Sequence, residues 1–297
     1  MNKMNVLKTL LSPVLIAVGL ISANGQIFYK IDGNGLSKPS YIFGTHHLAS
    51  LKVIENGVMD RFAETEQVVG EIDLTSDQMM MALSMQQYMI APADSALSMV
   101  ISPEDYAVIS EEFKKWAPMP GMELQMLDVM KPMTVSTIAT VKMMTDLLDG
   151  FNPEQQLDKY FQETAKAEGK AIVPLETAEF QAQVLYASTP IKYQAESLVE
   201  LLKNPEEAIE NMKKLNAAYD SHDLDAMYAL TEENDQHPEF MEALLDKRNA
   251  DWLSKLPAIM QEAPSFIAVG ALHLAGDKGL VEGLRKLGFS VTPIEIK

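Results

Sequence analysis

The segment PSYIFGTHHLAS, residues 39–50, is echoed by PSFIAVGALHLAG, residues 264–276. Both run Pro-Ser-aromatic-Ile, then a glycine, then a histidine followed by Leu-Ala. With one residue of slippage each reads as an apolar strand ending in Gly-x-x-His, which makes His47 and His273 equivalent. Only five histidines occur in the chain, so two in matching contexts point to shared chemistry. Two carboxylates sit in similar places, Glu71 in GEID and Glu176 in VPLET. Two imidazoles and one or two carboxylates around an open position suit a divalent transition metal, which lowers the pKa of bound water to ~7 and supplies hydroxide. Gly44 and Gly270 would let the backbone turn sharply beside the histidines. His46 adjoins His47 but faces the other way, since neighbouring strand residues alternate; it is expected behind or beside the ligands.

Each element also has an ordinary explanation. A strand-end carboxylate often caps the next helix, so Glu71 and Glu176 could be structural. Arg248, in DKRNADW, has Asp246 and Asp251 close by, and a charge pair on a helix face accounts for it most cheaply. Facing a crevice instead, its guanidinium could orient a carboxylate or steady an oxyanion. His222 and His237 adjoin acidic residues and read as solvated surface.

These residues converge only if the intervening chain folds as an α/β sheet. IFYKI, the turn Asp32-Gly33-Asn34-Gly35 and SYIFG read as a hairpin. Val68-Val69 reads as a short buried strand and the stretch from Ala171 to Leu175 as a further strand. The last forty residues alternate strand, helix, strand, which implies a parallel crossover. The expected fold is a central, mostly parallel sheet in one domain over 26–297, with helical insertions at about 76–170 and 177–262. In such sheets ligands bind beyond the carboxyl ends of the strands, where His47, Glu71, Glu176 and His273 all fall. The first insertion is rich in methionine at helical spacing, as in DQMMMALSMQQYMI. A pliable apolar lining explains those thioethers better than a copper site.

Residues 1–25 have a basic start, an apolar run from Leu10 to Ile21 interrupted at Ser12-Pro13, and the exit Ala23-Asn24-Gly25. This reads as a signal peptide and predicts a periplasmic or secreted protein without membrane insertion after cleavage, since a spanning helix wants ~20 apolar residues. The net charge is −18, and residues 1–25 hold Lys3 and Lys8 and no acid, so the remainder carries −20. Such a field repels phosphate backbones and excludes a nucleic-acid role. There is no cysteine, so stability comes from packing rather than from disulfides.

Through YIFGTHHLAS, GEID, GKAIVPLET, KRN and VGALHLAGDKGL, in this order over nearly the whole chain from Gln26, the sequence resembles the TraB/GumN family, which includes the Tiki proteases. The resemblance implies a core like that of erythromycin esterases and haem-binding ChaN-like proteins. It also implies metal-dependent proteolysis with manganese or cobalt, zinc being a further candidate. His47 and His273 match the two motif histidines, Glu71 the acidic residue after the second core strand, and Arg248 the later arginine. The leading expectation is therefore an exported metal-dependent peptidase or related hydrolase acting on a peptide or small molecule. In it His47, His273 and Glu71 bind the metal, Glu176 serves as base or supports the ligands from behind, and Arg248 steadies the transition state. Two alternatives use the same residues: a non-catalytic protein binding haem, a metal or a peptide, and a metal-free esterase-like hydrolase with His47 as general base and a carboxylate partner.

Overall fold

The computed structural model describes residues 25–55, 57–148, 151–152, 155–233 and 238–296. The expected leader, apart from Gly25, and His237 lie outside them. Six strands form one sheet: β1 Phe28–Asp32, β2 Ser40–Thr45, β3 Gln67–Gly70, β4 Ala171–Pro174, β5 Ser265–Gly270 and β6 Ser290–Pro293, in the order β4-β3-β5-β2-β1-β6. Neighbours among β4, β3, β5 and β2 run parallel, and β1 is antiparallel to both β2 and β6. Five strands thus share one direction. The hairpin turn is where the sequence puts it, with Gly33, Asn34 and Gly35 all at positive φ.

The two echoing segments are neighbours: β2 and β5 pair with Gly44 opposite Val269 and Thr45 opposite Gly270. Gly44 has a steric reason to be glycine. A Cβ there would lie 2.8 Å from Ala271 Cα, so the bare backbone lets the second Gly-x-x-His segment pass against the first. Gly270 has none of comparable force, because its Cβ would meet only Glu71 Oε1 at 3.4 Å and the His273 ring at 3.6 Å.

Ten helices matter to the argument: α1 Gln78–Met89, α2 Pro103–Trp116, α3 Pro132–Leu147, α4 Leu157–Glu168, α5 Ala178–Ala187, α6 Ile191–Lys203, α7 Pro205–Asp220, α8 Leu224–Glu233, α9 Lys247–Glu262 and α10 Leu280–Lys286. Alternation along the strands assigns their partners. Phe28, Phe43 and Phe266 share one sheet face with α4, whose Phe161 ring lies 4.7 Å from that of Phe266. From the opposite face the Gln67 amide reaches the Ile259 carbonyl of α9 at 2.9 Å. Leu157, Phe161 and Ala165 of α4 and Trp252, Leu256 and Met260 of α9 all belong to the sheet's own hydrophobic cluster. The first helical insertion therefore stops short of α4.

A second cluster, including Ile109, Phe113, Val135, Ala139, Leu198 and Leu202, is built by α2, α3 and α6. The methionine-rich α1 has no buried residue, and Met79 is 74% exposed. Its Gln87 and Tyr88 bond Glu179 of α5, the helix that brings Gln181 to the sheet edge. Among the described residues no helix is long and apolar enough to cross a membrane.

Candidate functional site

At the carboxyl ends of β3, β4 and β5 the structure gathers Glu71, Glu176 and His273 around one guanidinium. Glu71 and Glu176 follow adjacent strands, whose ladder continues past its last paired residues: Leu175 N–H donates to the Gly70 carbonyl and Glu176 N–H to that of Glu71, both at 2.9 Å. Gln162 of α4 pins the exit of β3, donating to the Ile72 carbonyl and accepting from Leu74 N–H.

Arg248 stands at the start of α9, directly after a π-helical turn, Glu242–Asp246. Arg248 Nη1 donates to the Leu244 carbonyl of that turn at 2.9 Å. Its other donors go inward. Nε bonds Glu176 Oε2 at 3.0 Å, Nη2 bonds Glu176 Oε1 at 2.7 Å and Glu71 Oε2 at 2.6 Å, and Nη1 meets His273 Nε2 at 2.9 Å. An arginine has five N–H donors, and these contacts engage them all. The expected charge pair with Asp246 and Asp251 is absent because those carboxylates take Lys278 and Lys255, while Arg248 is only 3% exposed. In this arrangement no donor of Arg248 remains for a developing oxyanion; the residue fixes its neighbours.

The hydrogen bonds settle the protonation of His273. Asn249 Nδ2 faces the carbonyls of His273 and Lys278, so its Oδ1 must face His273 Nδ1, at 2.7 Å. Nδ1 therefore carries the proton and Nε2 accepts from Arg248. Burial first, then the Arg248 charge, push His273 down to about 4, against an opposing pull from Glu71. Trp252, one turn beyond Arg248, lays its indole against the His273 ring at 4.4 Å and donates to Glu176 Oε2 at 3.3 Å.

Glu176 is sealed in: its oxygens accept from Arg248, Trp252 and Gln181. Burial raises its pKa, and the Arg248 fork works against that rise. Glu71 keeps a side chain that is 20% exposed. It accepts from Gly270 N–H at 2.9 Å and from Gln181 at 3.0 Å as well as from Arg248. Burial would raise Glu71, but the charges of His273 and Arg248 and these donors outweigh it and hold the group at about 2.

The two motif histidines are not equivalent. His273 is buried in a short 3-10 turn, Ala271–Leu274, whereas His47 lies exposed in the turn after β2. His46 is the inward member of its pair, packed on Tyr219 with ring centroids 5.1 Å apart, and burial and the adjacent His47 lower it to about 4. Its Nε2 is buried without a partner. Tyr219 in turn donates to the Gly44 carbonyl at 2.8 Å. The three expected ligands, His47, His273 and Glu71, are not among the described side chains gathered as donors of one ion.

Sequence reasoning did not identify Gln181, Asn249, Trp252, Thr45 or Asp158. Asp158, on the first turn of α4, accepts from the Thr45 hydroxyl at 2.8 Å. Thr45 pairs with Gly270 across β2 and β5, so adjacent strands hold Asp158 through one and Glu71 through the other. For Trp252 a signal existed: at i+4 it shares a helix face with Arg248, so an inward Arg248 would carry it along.

The chain matches the TraB/PrgY/gumN family over residues 27–293. That span is nearly the whole sequence, and the protein belongs to this family. No curated protein and no solved structure matches it.

Proposed function

We propose that this member of the TraB/PrgY/gumN family is an exported hydrolase of peptide-like substrates, working at the rim of the Arg248 cluster with His47 as general base. The carrying observation is the asymmetry of the histidines. His273 has both ring nitrogens engaged, by Asn249 and Arg248, while His47 is exposed at the same sheet edge. In this reading neutral His47 takes a proton from water as the water oxygen bonds to the substrate carbonyl carbon. The imidazolium then returns the proton to the leaving nitrogen as the C–N bond breaks, which yields a carboxylate and an amine. Glu71, ionised and partly exposed, accepts a substrate N–H; Arg248, Gln181 and the Gly270 N–H hold it in place. The exposed apolar side chains Met79, Met80 and Leu83 of α1 offer a compliant surface for apolar substrate groups. Export rests on the leader-like residues 1–25.

Against a shared ion stands the chemistry of the donor set. The His273 lone pair that a metal would take meets a guanidinium at 2.9 Å, and a divalent ion there would face a fixed positive charge. No step is therefore routed through a metal. The test is turnover of peptide and ester libraries by tag-free protein, with and without chelator, alongside His47→Ala. Turnover that survives chelation and is lost in His47→Ala supports this reading. Turnover abolished by chelator and restored by manganese or cobalt would replace it with the metal-dependent peptidase, and stoichiometric haem or metal without turnover with the binding protein.

A further inference from the structure

Asp158 has an oxygen without a donor. Oδ1 accepts from Thr45, but Oδ2 is buried and has no hydrogen-bond partner. A buried acceptor left so is destabilising, which a core position would avoid by using an apolar residue. Thr45 lies two residues before His47, so the bond to Oδ1 anchors the carboxylate at the root of the turn that carries the exposed imidazole.

The titratable groups facing Asp158 among the described residues are His47, Glu71 and Tyr219. Glu71 is ionised and has no proton to give. The Tyr219 hydroxyl already donates to the Gly44 carbonyl. Of these three groups only His47 has an N–H to offer.

We propose that Asp158 is the positioning carboxylate of His47: its free Oδ2 receives one imidazole N–H and thereby fixes which ring nitrogen is left to take the proton from water. This rests on the hydrolase reading of His47 and deepens it. Asp158 itself touches no substrate and stays ionised while His47 gains and returns the proton, its charge stabilising the imidazolium. Consistently, burial and the Glu71 charge push Asp158 up to about 6, against the opposing effects of His47 and Thr45. A carboxylate so placed gains from a cation beside it.

The test reads the tautomer of His47 directly. In protein labelled with 15N in its imidazoles, with His47 assigned through His47→Ala, ring shifts are recorded at a pH where His47 is neutral. The expected result is a single tautomer in the wild type. In Asp158→Asn, Thr45 keeps the amide oxygen and the NH2 group replaces Oδ2 toward the ring, so the tautomer should invert or average. An averaged His47 in the wild type, or an unchanged one in Asp158→Asn, would overturn the proposal; the wild-type measurement alone suffices if the variant does not fold. A fixed tautomer in a protein that hydrolyses nothing would support the pair and refute the hydrolase, and an averaged one in an active enzyme would do the reverse. Where turnover is found, Asp158→Asn should lower kcat roughly 10²–10⁴-fold with little change in KM.

Discussion

Replacing Arg248 with methionine keeps most of the volume and removes the guanidinium that all the other members of the cluster share. Glu176 loses two hydrogen bonds and Glu71 one. The cost falls mainly on Glu176, whose side chain is 2% exposed, because Glu71 reaches water. Removing one partner of a buried ion pair costs about 3–5 kcal/mol, a large share of the ~5–15 kcal/mol that stabilises a domain. With a urea m-value of ~2–3 kcal/mol/M, the unfolding midpoint should fall by roughly 1–2.5 M, read by tryptophan fluorescence at pH 7.5. The pH dependence should also change. Without Arg248, burial and the Glu71 charge hold the folded pKa of Glu176 above its unfolded value. The folded state then binds the extra proton, so the variant gains stability as pH falls toward the unfolded value of ~4.3. Arg248→Met with Glu176→Gln should be more stable than Arg248→Met alone. A loss below about 1 kcal/mol, or a double variant as damaged as the sum of the singles, would refute the claim that one guanidinium holds these groups as a unit.

Three further outcomes follow from the same geometry. His273 is held near 4, below its unfolded value of ~6.5, so the unfolded chain takes up the proton first; its share of the stability should be full above pH ~6.5 and fall by up to about 3 kcal/mol as pH drops to 4, and His273→Gln should make that stretch of a urea-midpoint profile shallower, leaving the slope that His46, also near 4, contributes. Gly44→Ala should cost about 1–3 kcal/mol by overpacking against Ala271, whereas Gly270→Ala should cost less than half as much in parallel denaturation curves. Met79→Ser with Met80→Ser, on the exposed face of α1, should leave the unfolding midpoint within about 0.5 kcal/mol of wild type while lowering affinity for apolar substrates; equal losses for apolar and polar substrates would remove α1 from the substrate surface.

The sheet edge was legible in the sequence because it is written in short, local patterns. The echo of 39–50 in 264–276 marks two strands that do pair, and the position of Glu71 and Glu176 just past short apolar runs places them on adjacent strands. What the echo could not convey is that its histidines differ. His273 enters a 3-10 turn beneath Trp252 and Asn249, and that covering helix is a tertiary fact. Arg248 shows the same limit: sequence proximity offers Asp246 and Asp251 as its partners, whereas in the fold burial joins it to carboxylates 72 and 177 residues away. Asp158 carries no local signal beyond a helix start, since its meaning depends on Thr45, which meets it only when α4 lies on the phenylalanine face of the sheet. The fold class followed from the strand–helix–strand rhythm, whereas the end of the first insertion did not, because α4 is amphipathic like the insertion helices and differs only in what it packs against.

The central claim is that Arg248, rather than a metal ion, joins the two glutamates to His273. Crystals of the protein, grown with millimolar manganese and measured at the manganese absorption edge, test it most directly. The account predicts the Arg248–His273 and Arg248–Glu71 bonds intact and no anomalous peak at ligand distance from His273 Nε2. A peak joining His47, Glu71 and His273, with the guanidinium swung aside, would contradict it.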